Sequence, residues 1–250
     1  MMKNVFVLLF LSLNFIVFSQ NSKLFEEANT LYNNGQFEDA ISKYEKILES
    51  GQHSAEVYFN LANAHYKLNH IAPSIYNYEK ALLLAPNDSE IKNNRSFAQN
   101  MTIDGFSTVP KVGFARITNN LTNTLSTDGW AVFAVTGVVL FVIFYLLYYF
   151  SYTSSKKRIA FILSFVVALI ALVALVMAFQ KETLDANDKP AIVFADEIKM
   201  QADPNLKSDE ILRIHEGTKV QIIDVYEAWN KIRLSNGTEG WIPAESIKKL

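Results

Sequence analysis

The chain contains no cysteine among its 250 residues. That absence excludes disulfides, thiolate metal sites, cysteine nucleophiles and a lipid anchor attached to a cysteine at a cleavage site. Glycine is also scarce, at nine residues, so few tight anion-binding loops are available. No phosphate loop, Gly-x-Ser-x-Gly elbow or dinucleotide fingerprint occurs. The four histidines are His53, His65, His70 and His215. His65 and His70 are five apart, off the i, i+4 register of two ligands on one helical face, and no glutamate lies between them. Carboxylates such as Glu26-Glu27 and Asp209-Glu210 read as solvated surface. No catalytic residue, metal, cofactor or small-molecule substrate is expected, and the chain reads as a non-enzyme.

Charge is the other shortage, at 19% of residues against 50% hydrophobic. An ordinary soluble protein is less apolar than this. Residues 20 to 129 carry 9 Lys and Arg against 12 Asp and Glu, and residues 180 to 250 carry 10 against 13. Neither region is basic, so nucleic acid is not an expected partner.

The apolar excess falls in three blocks. In the first, Lys3 precedes an apolar run from Val5 to Phe18, and Val17-Phe18-Ser19 ends in a small residue before Gln20. This is the layout of a secretory signal peptide over residues 1–19, too short to span a bilayer of about 20 helical residues. The other two blocks, Trp130 to Phe150 and Ile159 to Phe179, are each 21 residues without a charged side chain. Each predicts a transmembrane helix, with Trp130 at one boundary and Tyr145, Tyr148, Tyr149 and Tyr152 near the other.

The loop between them, 151–158, carries Lys156, Lys157 and Arg158 and no negative charge. Short cationic loops stay cytoplasmic, so these three residues are the expected topology determinants. Both flanking regions are then placed on the opposite, external side, which the signal peptide requires independently of the first. No ionisable residue interrupts either span, which argues against an ion path or proton relay.

Residues 21 to 101 contain an internal repeat with an offset of 34. Ala28 falls on Ala62, Tyr32 on Tyr66, and Tyr44-Glu45-Lys46-Ile47-Leu48 on Tyr78-Glu79-Lys80-Ala81-Leu82. Apolar residues recur at helical spacing within each copy. Gly35 separates the helices of the first copy, Gly51 the two copies, and Pro86 closes the second. Asn87-Asp88-Ser89-Glu90 then caps a further helix running to about Met101. A 34-residue period of two amphipathic helices resembles the tetratricopeptide repeat, with repeats at 21–54 and 55–88 and a cap helix at 88–101.

That resemblance implies a groove lined by the first helix of each repeat, where partner peptides or helices bind. The positions concerned are Phe25, Asn29, Tyr32, Phe59, Asn60, Asn63, Tyr66 and Lys67. Asn29 and Asn60 stand where the chaperone-binding subfamily carries its carboxylate-clamp asparagines. Phe25 replaces the first basic residue of that clamp, and the cap helix lacks the matching basic pair, which argues against a C-terminal carboxylate ligand. Residues 102–129, rich in Thr, Asn and Ser, read as a linker, although Phe106, Val109, Val112, Phe114 and Ile117 offer candidates for headgroup contact.

Residues 180–189 read as a second polar linker, and residues 190–250 as short strands. Ala191 to Phe194, Val220 to Tyr226 and Lys231 to Leu234 are strand-like, and Asn236-Gly237 is a hairpin turn signal. With Gly240-Trp241-Ile242-Pro243, the order resembles a bacterial SH3-like domain, a binding module for peptides or cell-wall material. Tyr226, Trp229 and Trp241 are the candidate binding aromatics. A barrel this small needs large side chains to fill it, which favours a core position for Trp241.

The expected fold class is thus multidomain: an α-helical tetratricopeptide repeat domain, two transmembrane helices and a small all-β SH3-like barrel. The whole-chain order resembles BatE-type proteins of Bacteroidetes aerotolerance (Bat) operons. That resemblance implies a scaffold at the bacterial inner membrane with both end domains periplasmic, and an oxidative-stress setting. Implied partners are envelope proteins of the Bat family with von Willebrand factor A-type domains, together with a MoxR-type ATPase. Peptidoglycan is the alternative partner, gripped by the SH3-like domain.

Overall fold

The structure is a computed structural model that describes residues 21–106 and 113–250; the expected signal peptide, residues 1–19, and Val109 and Val112 lie outside the described residues. The chain divides into two units. One joins the N-terminal helices to the C-terminal strands; the other comprises residues 113–188.

In the first unit, residues 21–33 form helix α1. It is followed by α2 (Phe37–Glu49), α3 (Ala55–Lys67), α4 (Ile71–Leu84) and α5 (Ser89–Gln99). The 34-residue offset governs the joints as well as the faces. Gly35 and Asn69 occupy equivalent turns, both in the left-handed region at φ +79° and +60°. Glycine is free there, and asparagine is among the few other residues that tolerate it. Ser54 caps α3 by accepting from the Val57 N–H, and Asp88 caps α5 by accepting from the Ile91 N–H. The buried alanines Ala64 and Ala98 stand in the same relation. Helix α5 is therefore the first helix of a third, half-length repeat.

Two clusters fill the helices. Ala28, Ala40, Tyr44, Ile47, Val57 and Leu61 form one. Ala62, Ala72, Ile75, Tyr78, Ala81, Ile91 and Ala98 form the other, and this cluster also contains Ile192 from the C-terminal strands.

Those strands are β1 (Pro190–Val193), β2 (Glu197–Gln201), β3 (Glu210–His215), β4 (Lys219–Tyr226), β5 (Trp229–Arg233), β6 (Glu239–Pro243) and β7 (Ile247–Lys249). They pair antiparallel in the order β3-β2-β6-β5-β4-β1-β7. Ala191, Val193, Met200, Ile214, Val220, Ile222, Ile232, Leu234, Ile242 and Ile247 fill the interior. Strand β1 is buried on both faces: Ala191 and Val193 point into the barrel, while Ile192 points into the helices. The hairpin at Asn236-Gly237 is a three-residue loop in which Gly237, at φ +88°, follows the turn closed by its own N–H to the Leu234 carbonyl.

Repeats and barrel share one core and are not separate modules on linkers. Tyr76 and Phe194 meet edge to face at 5.7 Å. Glu79, with its side chain 7% exposed, receives Arg95 at 3.1 Å and Lys219 of β4 at 2.8 Å. Asp104 accepts from the His215 backbone N–H at 2.6 Å and from Thr218 Oγ1 at 2.7 Å. Its other oxygen lies 2.9 Å from His215 Nδ1.

The second unit holds α6 (Phe114–Thr122), α7 (Thr127–Phe150) and α8 (Ser154–Asn187). Helices α7 and α8 are long and apolar enough to cross a membrane, at about 36 and 51 Å. Only 17% and 22% of their most apolar windows are buried, which is the opposite of a soluble core helix. Small residues form the seam between them: Ala134 and Gly137 of α7 face Ala171, Ala174 and Ala178 of α8.

Three expectations are corrected here. Residues 102–129 are not all linker, because α6 occupies 114–122. The loop 151–158 shrinks to three residues, since α8 begins at Ser154 and Lys156, Lys157 and Arg158 lie in its first turns. Residues 180–189 continue α8 as far as Asn187. Extending a helix that is already nucleated gains one hydrogen bond for each residue fixed, with no second nucleation, so polar flanks continue it.

Candidate functional site

The first helices of the repeats, α1, α3 and α5, line the candidate groove. Along it the same arrangement occurs twice, 34 residues apart. In the first, Tyr44 of α2 donates to Asn29 Oδ1 at 2.6 Å, and Asn60 Nδ2 donates to the same oxygen at 3.0 Å. In the second, Tyr78 of α4 donates to Asn63 Oδ1, and Asn94 Nδ2 donates to it at 3.1 Å. Phe25 braces Tyr44 with ring centroids 6.0 Å apart, and Phe59 braces Tyr78 at the same distance.

Each asparagine oxygen has two lone pairs and both are used. The amide orientation is thereby fixed, and the NH2 groups of Asn29 and Asn63 are directed as donors. Burial, followed by the charge of Tyr32, pushes the Tyr44 hydroxyl up to about 12. Burial also raises Tyr78, followed by Tyr32 and Tyr66. Both phenols therefore stay protonated and keep donating across the physiological range.

Two cavities open at these arrangements. One of about 250 Å³ is lined by Asn29, Tyr32, Asn33, Tyr44 and Asn60. The other, of about 360 Å³, is lined by Tyr32, Asn63, Tyr66, Lys67, Tyr78, Glu90, Asn94 and Phe97. Of the residues expected from sequence, Asn29, Tyr32, Asn60, Asn63, Tyr66 and Lys67 line the groove, whereas Phe25 and Phe59 support it from behind. Asn29 and Asn60 are not equivalent positions; they bond to each other, each having its own counterpart one repeat on. Sequence reasoning missed Tyr44, Tyr78, Asn33, Glu90, Asn94 and Phe97. The signal for Asn94 was present: it follows Asn60 by 34, as Asp88 follows Ser54.

On the barrel, alternation separates the core from the outer face of β5 and β6. Asn230, Ile232, Gly240 and Ile242 are buried, and Trp229, Lys231, Trp241 and Pro243 point outward, half-buried. Trp229 lies opposite Pro243 and Tyr226, and Lys231 lies opposite Trp241. Tyr226 is 53% exposed. The core position favoured for Trp241 is corrected: alternation along β6 turns Gly240 and Ile242 inward and leaves Trp241 on the outer face, while aliphatic side chains and Met200 fill the interior. Glu239 holds this face in register through Arg233 at 2.6 Å and Lys231 at 3.3 Å.

A third cavity, of about 470 Å³, lies where the repeats meet the barrel. Its charged lining is already engaged, Asp104 by His215 and Thr218, Lys219 by Glu79, and Arg233 by Glu239. Among the described residues, no three His, Asp or Glu side chains cluster as metal ligands would.

Repeat stack and barrel are both module types that suggest binding of protein or cell wall. Comparison with known families agrees at the level of modules. Residues 55–88 match the tetratricopeptide repeat family, and residues 195–249 match the family described as bacterial SH3 domain. Among solved structures, the C-terminal SH3 domain of myosin IB from Entamoeba histolytica is 33% identical over 22% of this chain and 90% of its own, with a TM-score of 0.16. No curated protein matches the chain.

Proposed function

We propose that the protein is a non-catalytic scaffold of a bacterial inner membrane that holds an extended segment of an envelope protein in its repeat groove. The observation that carries this reading is the duplicated Tyr-Asn-Asn arrangement. It presents amide donors of fixed orientation one repeat apart, in cavities whose only charges are Lys67 and Glu90. Main-chain carbonyls of an extended peptide suit such donors better than a carboxylate terminus does. Helices α7 and α8 anchor the chain, with Lys156, Lys157 and Arg158 on the cytoplasmic side and both ends in the periplasm. The domain order further suggests a Bat-type aerotolerance complex, with von Willebrand factor A-domain proteins as partners.

Photocrosslinkers placed at Asn29, Asn60 and Tyr66 in intact cells test the groove. Adducts with an identified envelope protein, lost on mutation of Asn63 and Asn94, are expected. Absence of adducts at all three sites would refute it. Topology is tested separately by protease added to spheroplasts, which should reach both end domains and spare a tag beside Lys157.

A second reading, peptidoglycan binding, is favoured by one feature: two tryptophans share the outer face of the barrel. Co-sedimentation of the full chain with sacculi, abolished by Trp229→Ala with Trp241→Ala, would support it. The isolated barrel is unsuitable for that assay, because Ile192 belongs to the helical core.

A further inference from the structure

Helix α6 has its faces the wrong way round for a helix packed on protein in water. Toward the hairpin it turns Thr122, which is fully buried, and the half-buried Thr118 and Asn119. Outward it turns Ile117, 64% exposed, and Leu121, 45% exposed, one helical turn apart, with exposed Leu125 in the turn that follows. Arg116 and Asn120, both exposed, occupy a third arc on the far side of that stripe. An amphipathic helix in water buries its apolar stripe. Here the packed arc is polar and the apolar arc is open, so three arcs call for three surroundings: protein, an apolar medium and water.

The depth of α6 is fixed by two contacts. The Trp130 indole donates to the Thr122 carbonyl at 2.9 Å, and Thr122 Oγ1 lies 3.6 Å from Met177 Sδ. Trp130 opens the apolar run of α7, and Met177 stands two residues before Phe179, which closes that of α8. The end of α6 is therefore held at the boundary where both apolar runs stop. Val132 and Phe133, the first large apolar residues after Trp130, are exposed at this same end of α7.

We infer that α6 is an interfacial helix that lies in the lipid surface, with Ile117, Leu121 and Leu125 among the headgroups and upper acyl chains, and Arg116 and Asn120 toward water. The occupant of the open stripe is lipid. This rests on the membrane reading of α7 and α8. The helix sets the depth of the hairpin and fixes where the chain leaves the bilayer.

The absence of native cysteine allows single labels. The full chain carrying an environment-sensitive fluorophore on one of I117C, L121C, N120C or V139C is reconstituted in phosphatidylcholine–phosphatidylglycerol vesicles. Quenchers are lipid nitroxides near the headgroup or near the chain end, and aqueous iodide. The deep nitroxide should quench at position 139. The shallow one should quench at 117 and 121, where iodide acts about threefold more weakly than at 120. If 139 responds to lipid while 117 and 121 are as open to iodide as 120, the inference is wrong and the spans stand. Labels at 117 and 121 shielded from both lipid and iodide would mean that protein covers the stripe, which also overturns it. No lipid response at 139 removes the membrane reading, and the inference with it.

Discussion

Asp104 and His215 lie 111 residues apart and are joined twice: one carboxylate oxygen takes the His215 backbone N–H at 2.6 Å, and the other meets its Nδ1 at 2.9 Å. Thr218 adds a third bond at 2.7 Å. Burial raises the Asp104 carboxyl, but the bonds from Thr218 and His215 together outweigh it and hold the group below the usual carboxylate value. The residue that leaves the repeats is in this way fastened to the first turn of the barrel after β3.

Truncating Asp104 removes the common acceptor of three donors. Asp104→Ala should cost about 2 to 3 kcal/mol, the range for a buried charged acceptor whose donors are left unpaired. Thermal unfolding of the detergent-solubilised chain measures it. An unchanged transition temperature would mean that the fastening adds nothing to the shared core of Ile192 and Ile75.

Gly217 and Gly237 both have positive φ, at +81° and +88°, but only the first is crowded. A Cβ at 217 would lie 2.8 Å from Thr102 Cγ2, 2.9 Å from Ile71 Cγ2 and 3.0 Å from Ile75 Cδ1, whereas at 237 it meets open space. Gly237→Ala should therefore cost about 1 kcal/mol of backbone strain. Gly217→Ala adds overpacking and should cost about twice as much. Equal losses in denaturant titrations of the two variants would show that barrel and repeats separate readily at this point.

The repeat was legible because helix packing demands the same residue type every 34 positions, and the joints obey the same offset. Strand β5 was legible by alternation, whereas β2 and β7, short and rich in charge, were not legible as strands. Strand β1 was legible by the lack of alternation: Ala191 to Phe194 is uninterrupted because both faces of β1 are buried. That run was the only hint that the barrel shares a core with the helices. The fastening itself was not legible, since nothing local to Asp104 marks His215 as its partner. Helix α6 was masked by its Thr and Asn, which suit a polar packed arc and were read as linker composition. The groove asparagines were legible singly, but their pairing with Tyr44 and Tyr78 depends on the second helix of each repeat.

Tyr78→Phe removes one of two donors to Asn63 and leaves Asn94 to hold the amide. A loss of about 1 kcal/mol in stability is expected, the net value of a typical hydrogen bond. The freed lone pair lets the amide rotate, so crosslinking from Asn60 and Tyr66 should fall as well. Stability loss with undiminished crosslinking would mean that the amide orientation does not matter to the partner.

In the hairpin, a Cβ on Gly137 would lie 2.8 Å from the Ala171 Cβ and 3.3 Å from its Cα. Such close approach is available only to small residues. Gly137→Leu should force α7 and α8 apart, and an engineered disulfide between positions 134 and 174, which share one packed cluster, should then fail to form in membranes. Undiminished formation would show that the hairpin tolerates another crossing.

His65 provides a prediction in pH. Its ring lies 3.3 Å from that of His70, Nδ1 to Nδ1, so one ring must carry the proton there and the other must accept it. Burial, followed by His70 and then Lys248, pushes His65 down to about 4 from an ordinary 6.5. Between these values the unfolded chain binds a proton that the folded chain refuses, so stability rises with pH across the window. It is fully present above about 6.5, is lost as pH falls toward 4, and amounts to about 3 kcal/mol over the whole interval. Asp104, held low, extends the loss below the usual carboxylate range, because protonation there breaks a charge the fold prefers. His65→Gln should flatten the stability profile between pH 6.5 and 4 while leaving the steeper fall below it. A variant whose profile parallels the parent through that window would assign the acid sensitivity to other groups.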